Sequence, residues 1–106
     1  GTAITYADSA TLGASFTVNE SGLYALSYYD LNSTAAARTF YIALNSVAVI
    51  PPIANQLASC YFISGLANAI NRTVRLSVGD IVRPIFPDTT PNTGTEGNFK
   101  ITKVGL

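Results

Sequence analysis

The chain has no histidine and no methionine, a single cysteine, and charged side chains at only 11% of its 106 positions. Without an imidazole, nucleophilic catalysis of the Ser-His-Asp or Cys-His kind lacks its usual base. Lys100 and Lys103 could replace it only from a segment that reads as a structural strand. Zinc sites draw on several Cys, His or carboxylate ligands, and one Cys with no His does not supply them. Calcium wants several converging oxygens, and Asp88, Thr89 and Glu96 are too few. Glycoside cleavage needs two paired acids; Asp88 and Glu96 flank one loop and read as solvated charges. Gly94 and Gly97 do not make a phosphate loop, because no GK[ST] follows them. The chain is therefore not expected to be an enzyme or to hold a metal or cofactor.

The shortage of charge has its own meaning, because an ordinary soluble domain is ~25% charged. No apolar run approaches the ~20 residues of a membrane-spanning helix, so the low charge does not indicate membrane insertion. It indicates a surface that is polar through Ser, Thr and Asn, or partly covered by other subunits. The six basic and six acidic residues cancel and are scattered. No basic stripe exists to follow a phosphate backbone, and nucleic acid is not an expected partner. Cys60 cannot form an internal disulfide; within Ala58-Ser59-Cys60-Tyr61-Phe62 it reads as a buried, inert thiol. The chain does not begin with methionine and shows no signal-peptide pattern. Residues 1–106 are expected to form one domain, a fragment and C-terminal head of a longer protein.

What the chain does have is strand periodicity. Residues 16–30, FTVNESGLYALSYYD, join two strand-like runs through the turn formers Asn19-Glu20-Ser21-Gly22. In the second run Leu23, Ala25, Ser27 and Tyr29 share one face and Tyr24, Leu26 and Tyr28 the other. Both faces are substantially apolar, which predicts a strand covered on two sides, by an opposing sheet and by a neighbouring subunit. Residues 39–44 read as the next strand, with 47–50 returning as a hairpin partner before Pro51-Pro52. Further strands are predicted over 57–64, 72–78, 81–86 and 98–104, with Gly79-Asp80 as a turn. Pro84 argues for an edge or a bulge. Residues 33–38 carry three alanines but are too short for a lone helix, and 88–97 form the clearest exposed loop. Short strands broken by Gly, Pro and Asn predict an all-β fold of antiparallel sheets, a two-sheet β-sandwich or a jelly roll.

With these units placed, the chain resembles the C1q/TNF-like trimeric jelly-roll domains. Phe16-Thr17-Val18 and Ser21-Gly22-Leu23-Tyr24-Ala25-Leu26-Ser27-Tyr28 are similar to the group's F-x-V…G-L-Y-x-F/L-x-Y segment. The stretch from Val74 through Gly79-Asp80-Ile81-Val82 resembles its V-x-L-x-x-G-D-x-V segment, and Asn98-Phe99-Lys100-Ile101 its final core strand. The wording of residues 4–11, 79–84 and 101–104 looks most like domains of bacteriophage fibres and surface appendages. The resemblance implies a jelly roll of about ten strands, a homotrimer, and attachment from the virion surface to a host-surface glycan or protein. Departures are the lack of a collagen-like stalk and of an acidic cluster like the calcium site of some relatives.

Amphipathic tyrosines suit interface cores. Tyr28 and Tyr41, with Tyr24, are the expected trimer-interface residues. Recognition is expected on the loops 30–38 and 88–97, through Asp30, Asn32, Arg38, Asp88, Thr90, Asn92 and Glu96. A rival reading is a structural capsid-decoration or fibre-trimerisation domain with no foreign ligand. The sequons at Asn19, Asn32 and Asn71 read as chance matches in a chain rich in Ser and Thr.

Overall fold

The computed structural model describes residues 2–9, 13–31, 36–48, 50–85 and 98–106. Within them the chain forms β1 (Ile4–Ala7), β2 (Ser15–Val18), β3 (Gly22–Leu31), β4 (Arg38–Leu44), β5 (Gln56–Phe62), β6 (Ala67–Leu76), β7 (Ile81–Ile85) and β8 (Asn98–Gly105). A short 3-10 turn at Ile53–Asn55 precedes β5. One sheet has the order β1-β2-β7-β4-β5 and the other β6-β3-β8. All the pairings are antiparallel. The orders 2-7-4-5 and 8-3-6 are those of a jelly-roll sandwich. The expected fold class holds, with eight strands among the described residues rather than about ten.

Alternation places the core. Tyr24, Leu26 and Tyr28 point inward from β3, Phe40 and Ile42 from β4, Phe62 from β5 and Val82 from β7, all buried. Burying each such side chain stabilises the fold by roughly 1.5–3 kcal/mol. Phe40 and Phe62 stack with ring centroids 3.9 Å apart and planes 7° from parallel. Along the side formed by β1, β2 and β8, Tyr6 packs on Phe16 at 5.2 Å and Phe16 on Phe99 at 4.9 Å. That side is sealed by aromatic rings. On the opposite side β5 and β6 are both sheet edges facing each other.

Several expectations are corrected. Residues 47–50 form no strand in the described positions, because both edges of β4 are already taken by β5 and β7. β6 begins at Ala67, five positions before the predicted start. Its first half, ANAIN, has poor strand formers. It is held in place by pairing with β3 from Ser27↔Asn71 to Leu31↔Ala67. β1 carries too short a pattern to be read alone, and it exists through its register with β2, from Ile4↔Val18 to Ala7↔Ser15. Pro84 sits in an interior strand, yet the pairing of β7 with β2 ends at Val82. Pro84 therefore lies where β7 pairs on the β4 side only, opposite Ile42.

Candidate functional site

The two sequence motifs meet at a junction with a structural task. Their turns are not hairpins: β2 and β3 lie in different sheets, as do β6 and β7. The Val18 N–H donates to the Asp80 carbonyl at 2.8 Å and the Gly79 N–H to the Val18 carbonyl at 2.9 Å. The Val78 N–H donates to Ser21 Oγ at 3.0 Å. Asp80 accepts from the Ser77 N–H at 2.9 Å and from Asn45 Nδ2 at 3.1 Å. The Ile81 N–H donates to Asn45 Oδ1 at 2.7 Å. Gly79 takes a positive φ of 93°, open to glycine at no steric cost. Thus Gly79-Asp80 and Ser21 serve the crossing between sheets, and their polar groups are consumed there.

The expected interface tyrosines divide. Tyr24 and Tyr28 are corrected: they are 0% and 4% exposed and belong to the core of a single chain. Tyr24 donates its hydroxyl to the Glu20 carbonyl at 2.6 Å. Tyr28 donates to Asp30 Oδ2 at 2.8 Å. Burial first, then the charge of Asp30 and the hydrogen bond to it, push the Tyr28 phenol far above the ordinary tyrosine value. Asp30 is corrected as well. It is 1% exposed, so its carboxylate lies inside the sandwich at the end of β3 and is not presented to a receptor. Nothing in the sequence distinguishes it from a loop acid except the strand alternation, which continues through Tyr28 to Asp30.

Arg38 opens β4, half-buried, with its guanidinium donating to the Ala37 carbonyl at 3.1 Å. Asn32, Asp88, Thr90, Asn92 and Glu96 lie outside the described residues. Cys60 is half-buried rather than sealed in the core, and its Sγ accepts from Asn68 Nδ2 at 3.1 Å. Among the sequons, the Asn19 amide is engaged with Thr5 Oγ1 at 2.7 Å and the Thr2 carbonyl at 3.1 Å.

Tyr41 stands on the outer face of the five-stranded sheet, half-buried. It lies in one row with Ser59 of β5 and Ile85 of β7. Tyr61, 63% exposed, pairs with Thr39 in the next row of that face. Arg83 is the charged residue of β7, while β5 carries no charge. The outer face of the other sheet is different. Ala25, Ser27 and Tyr29 of β3 are flanked by Thr73, Asn71 and Ala69 of β6 and by Thr102 and Lys100 of β8. Apart from Tyr29, these residues are small or polar. The second cover that β3 seemed to need is thus no continuation of a large apolar surface.

On the open side, a shallow cleft of about 570 Å³ lies between β5 and β6. Gln56, Ser59 and Cys60 line one wall, Ile70 and Arg72 the other, and Ile53 one end. Two side chains of β6 clasp the edge of β5. Arg72 Nη1 donates to the Leu57 carbonyl at 2.5 Å and Asn68 Nδ2 to the Tyr61 carbonyl at 3.3 Å. Sequence reasoning missed this site, because Arg72 only opens the predicted strand over 72–78 and no local pattern relates it to β5. Beside the start of β3, Lys103 pairs with Glu20 at 3.1 Å. That bond, then Thr2 and the charge of Lys103, hold the Glu20 carboxyl below its ordinary value.

No family model matches the chain, and no curated protein does. The solved structure of a family 35 carbohydrate-binding module from an environmental isolate is similar to it. The identity is 16% over all of this chain and 80% of that one, with a TM-score of 0.43.

Proposed function

We propose that this chain is a non-catalytic C1q/TNF-like surface module of a bacteriophage virion, which assembles as a homotrimer and attaches to a host-surface glycan or envelope component. The observation that carries the reading is the outer face of the five-stranded sheet. Tyr41, Ile85 and Tyr61 stand together there with Thr39 and Ser59, the combination of aromatic and uncharged residues enriched at interface cores. A partner on that face leaves free the end of the sandwich at which β3, β5 and β7 finish. Three copies on one rigid tip then give long residence from weak single sites.

Light scattering on the isolated domain at tens of micromolar is expected to give the mass of three chains. Tyr41→Asp and Ile85→Asp are expected to give folded monomers. A monomeric wild type, or trimers indifferent to both changes, overturns the assembly. Attachment is tested by binding of the trimer to host cells and to arrays of host-surface polysaccharides. A stable trimer that binds neither supports a decoration or fibre-clamping role in its place.

A further inference from the structure

The geometry points to the β5–β6 cleft as a binding site for an acidic sugar unit, a pyranose bearing a carboxylate, held by Arg72. This rests on the attachment function proposed above and names the place and chemistry of one contact. Its volume of about 570 Å³ falls within the ~300–1,000 Å³ of small-ligand sites. No carboxylate lines the cleft. The ion pair among the described residues is Lys103 with Glu20, and Lys103 lies across β3 from the strand that carries Arg72. Arg72 spends one N–H on the Leu57 carbonyl, and a guanidinium has five. The rest of its planar fork is available to a carboxylate, which it matches with two parallel bonds.

The clasps decide between a peptide and a compact ligand. An extended peptide would add to the edge of β5 or β6 through a continuous run of main-chain groups. On β5 that run is interrupted. The Leu57 and Tyr61 carbonyls, four positions apart on one edge, are already occupied by Arg72 and Asn68. Between them stays a gap about the length of one ring, at Ser59. A sugar needs no continuous ladder. Its hydroxyls can use separate groups, here the main chain at Ser59 and the Gln56 side-chain carbonyl, whose amide nitrogen is held by the Pro51 carbonyl at 2.8 Å. Ile70 and Ala58 give the floor an apolar surface for a ring face.

The test is titration of the ¹⁵N-labelled domain with tetragalacturonate, and with neutral galactotetraose for comparison. Amide shifts are expected at residues 56–60 and 69–72, with affinity for the neutral sugar lower by about tenfold or more. Arg72→Lys keeps the charge and loses the fork, and is expected to weaken tetragalacturonate by about tenfold. Equal response to both sugars, shifts confined to other strands, or silence at tens of millimolar overturns the assignment. The wild-type shift map stands whether or not the variant folds. Host-cell binding by a domain whose cleft stays silent refutes the cleft alone. A responsive cleft on a domain that binds no cells refutes the attachment function instead.

Discussion

Truncating Phe62 to Ala measures how much the sandwich depends on its stacked pair. Phe62 is fully buried, with its ring parallel to that of Phe40 at 3.9 Å. A buried Phe→Ala change costs about 3–5 kcal/mol through lost transfer energy and the cavity left behind. Stacking accounts for about 0.5–1.5 kcal/mol of interaction beyond the buried area. Phe62 is the last residue of an edge strand, where partial collapse is easiest, so the lower figure applies. A loss of about 3 kcal/mol is a large share of the ~5–15 kcal/mol typical of a domain. It corresponds to a Tm lower by about 12–24 °C at this chain length. The assay is urea unfolding at one protein concentration in an Ile85→Asp background, so that subunit association does not contribute. Tyr61→Ala is the control, one position along and facing out, with an expected change within about 0.5 kcal/mol. A one-residue slip of register would exchange the two side chains between faces. A near-neutral Phe62→Ala, or a larger loss from Tyr61→Ala, refutes the register and the core built on it.

Gly22→Ala is expected to destabilise by about 1–3 kcal/mol, because the added Cβ would collide with the Gly105 carbonyl and Lys103; wild-type stability would refute the close approach of β3 and β8. The depressed Glu20 carboxyl stabilises the fold above the ordinary value of 4.5 and loses that contribution as pH falls below it. Glu20→Gln should thus be less stable than wild type at neutral pH and converge with it in acid, and a gap independent of pH would exclude the pair. The raised phenol of Tyr28 stabilises fully below the ordinary tyrosine value of 10.0, and the contribution is lost as pH rises above it. Phenolate absorbance should show a tyrosine that ionises only on unfolding, and Tyr28→Phe should remove that step; its persistence would assign the step to another ring.

Strand alternation made most of the fold legible. The facing of Tyr24, Leu26 and Tyr28 against Leu23, Ala25 and Ser27 follows from period two alone, and so does the inward turn of Phe99 and Ile101. The same rule, carried one step further, puts Asp30 inside. Loop membership pulled the expectation the other way, since acids are rarely buried. The first half of β6 was illegible because ANAIN has no strand preference, and only β3 as a neighbour organises it. The interface reading of Tyr24 and Tyr28 failed for a related reason. An aromatic residue at a half-apolar strand can serve a core or a partner equally well, and which sheet covers which face is a long-range fact. The cleft was invisible because it is made by two edges far apart in sequence, β5 and β6, that no local pattern relates.

The switching of sheets at the 19–21 and 77–80 turns governs how the chain must reach this structure. Among the described residues, only β1–β2 and β4–β5 pair strands adjacent in sequence; β2–β7, β4–β7, β3–β6 and β3–β8 all wait on distant segments. Closing such loops consumes chain entropy before contacts repay it, which places all-β folds of this kind among the slow folders, in milliseconds to seconds. β8 is the last strand of the chain described and has β3 as its one sheet partner. Until it docks, β3 has an open edge and Phe16 lacks the ring of Phe99. β3 thus keeps an unpaired edge until β8 docks, and that edge is open to other chains while the fold is incomplete.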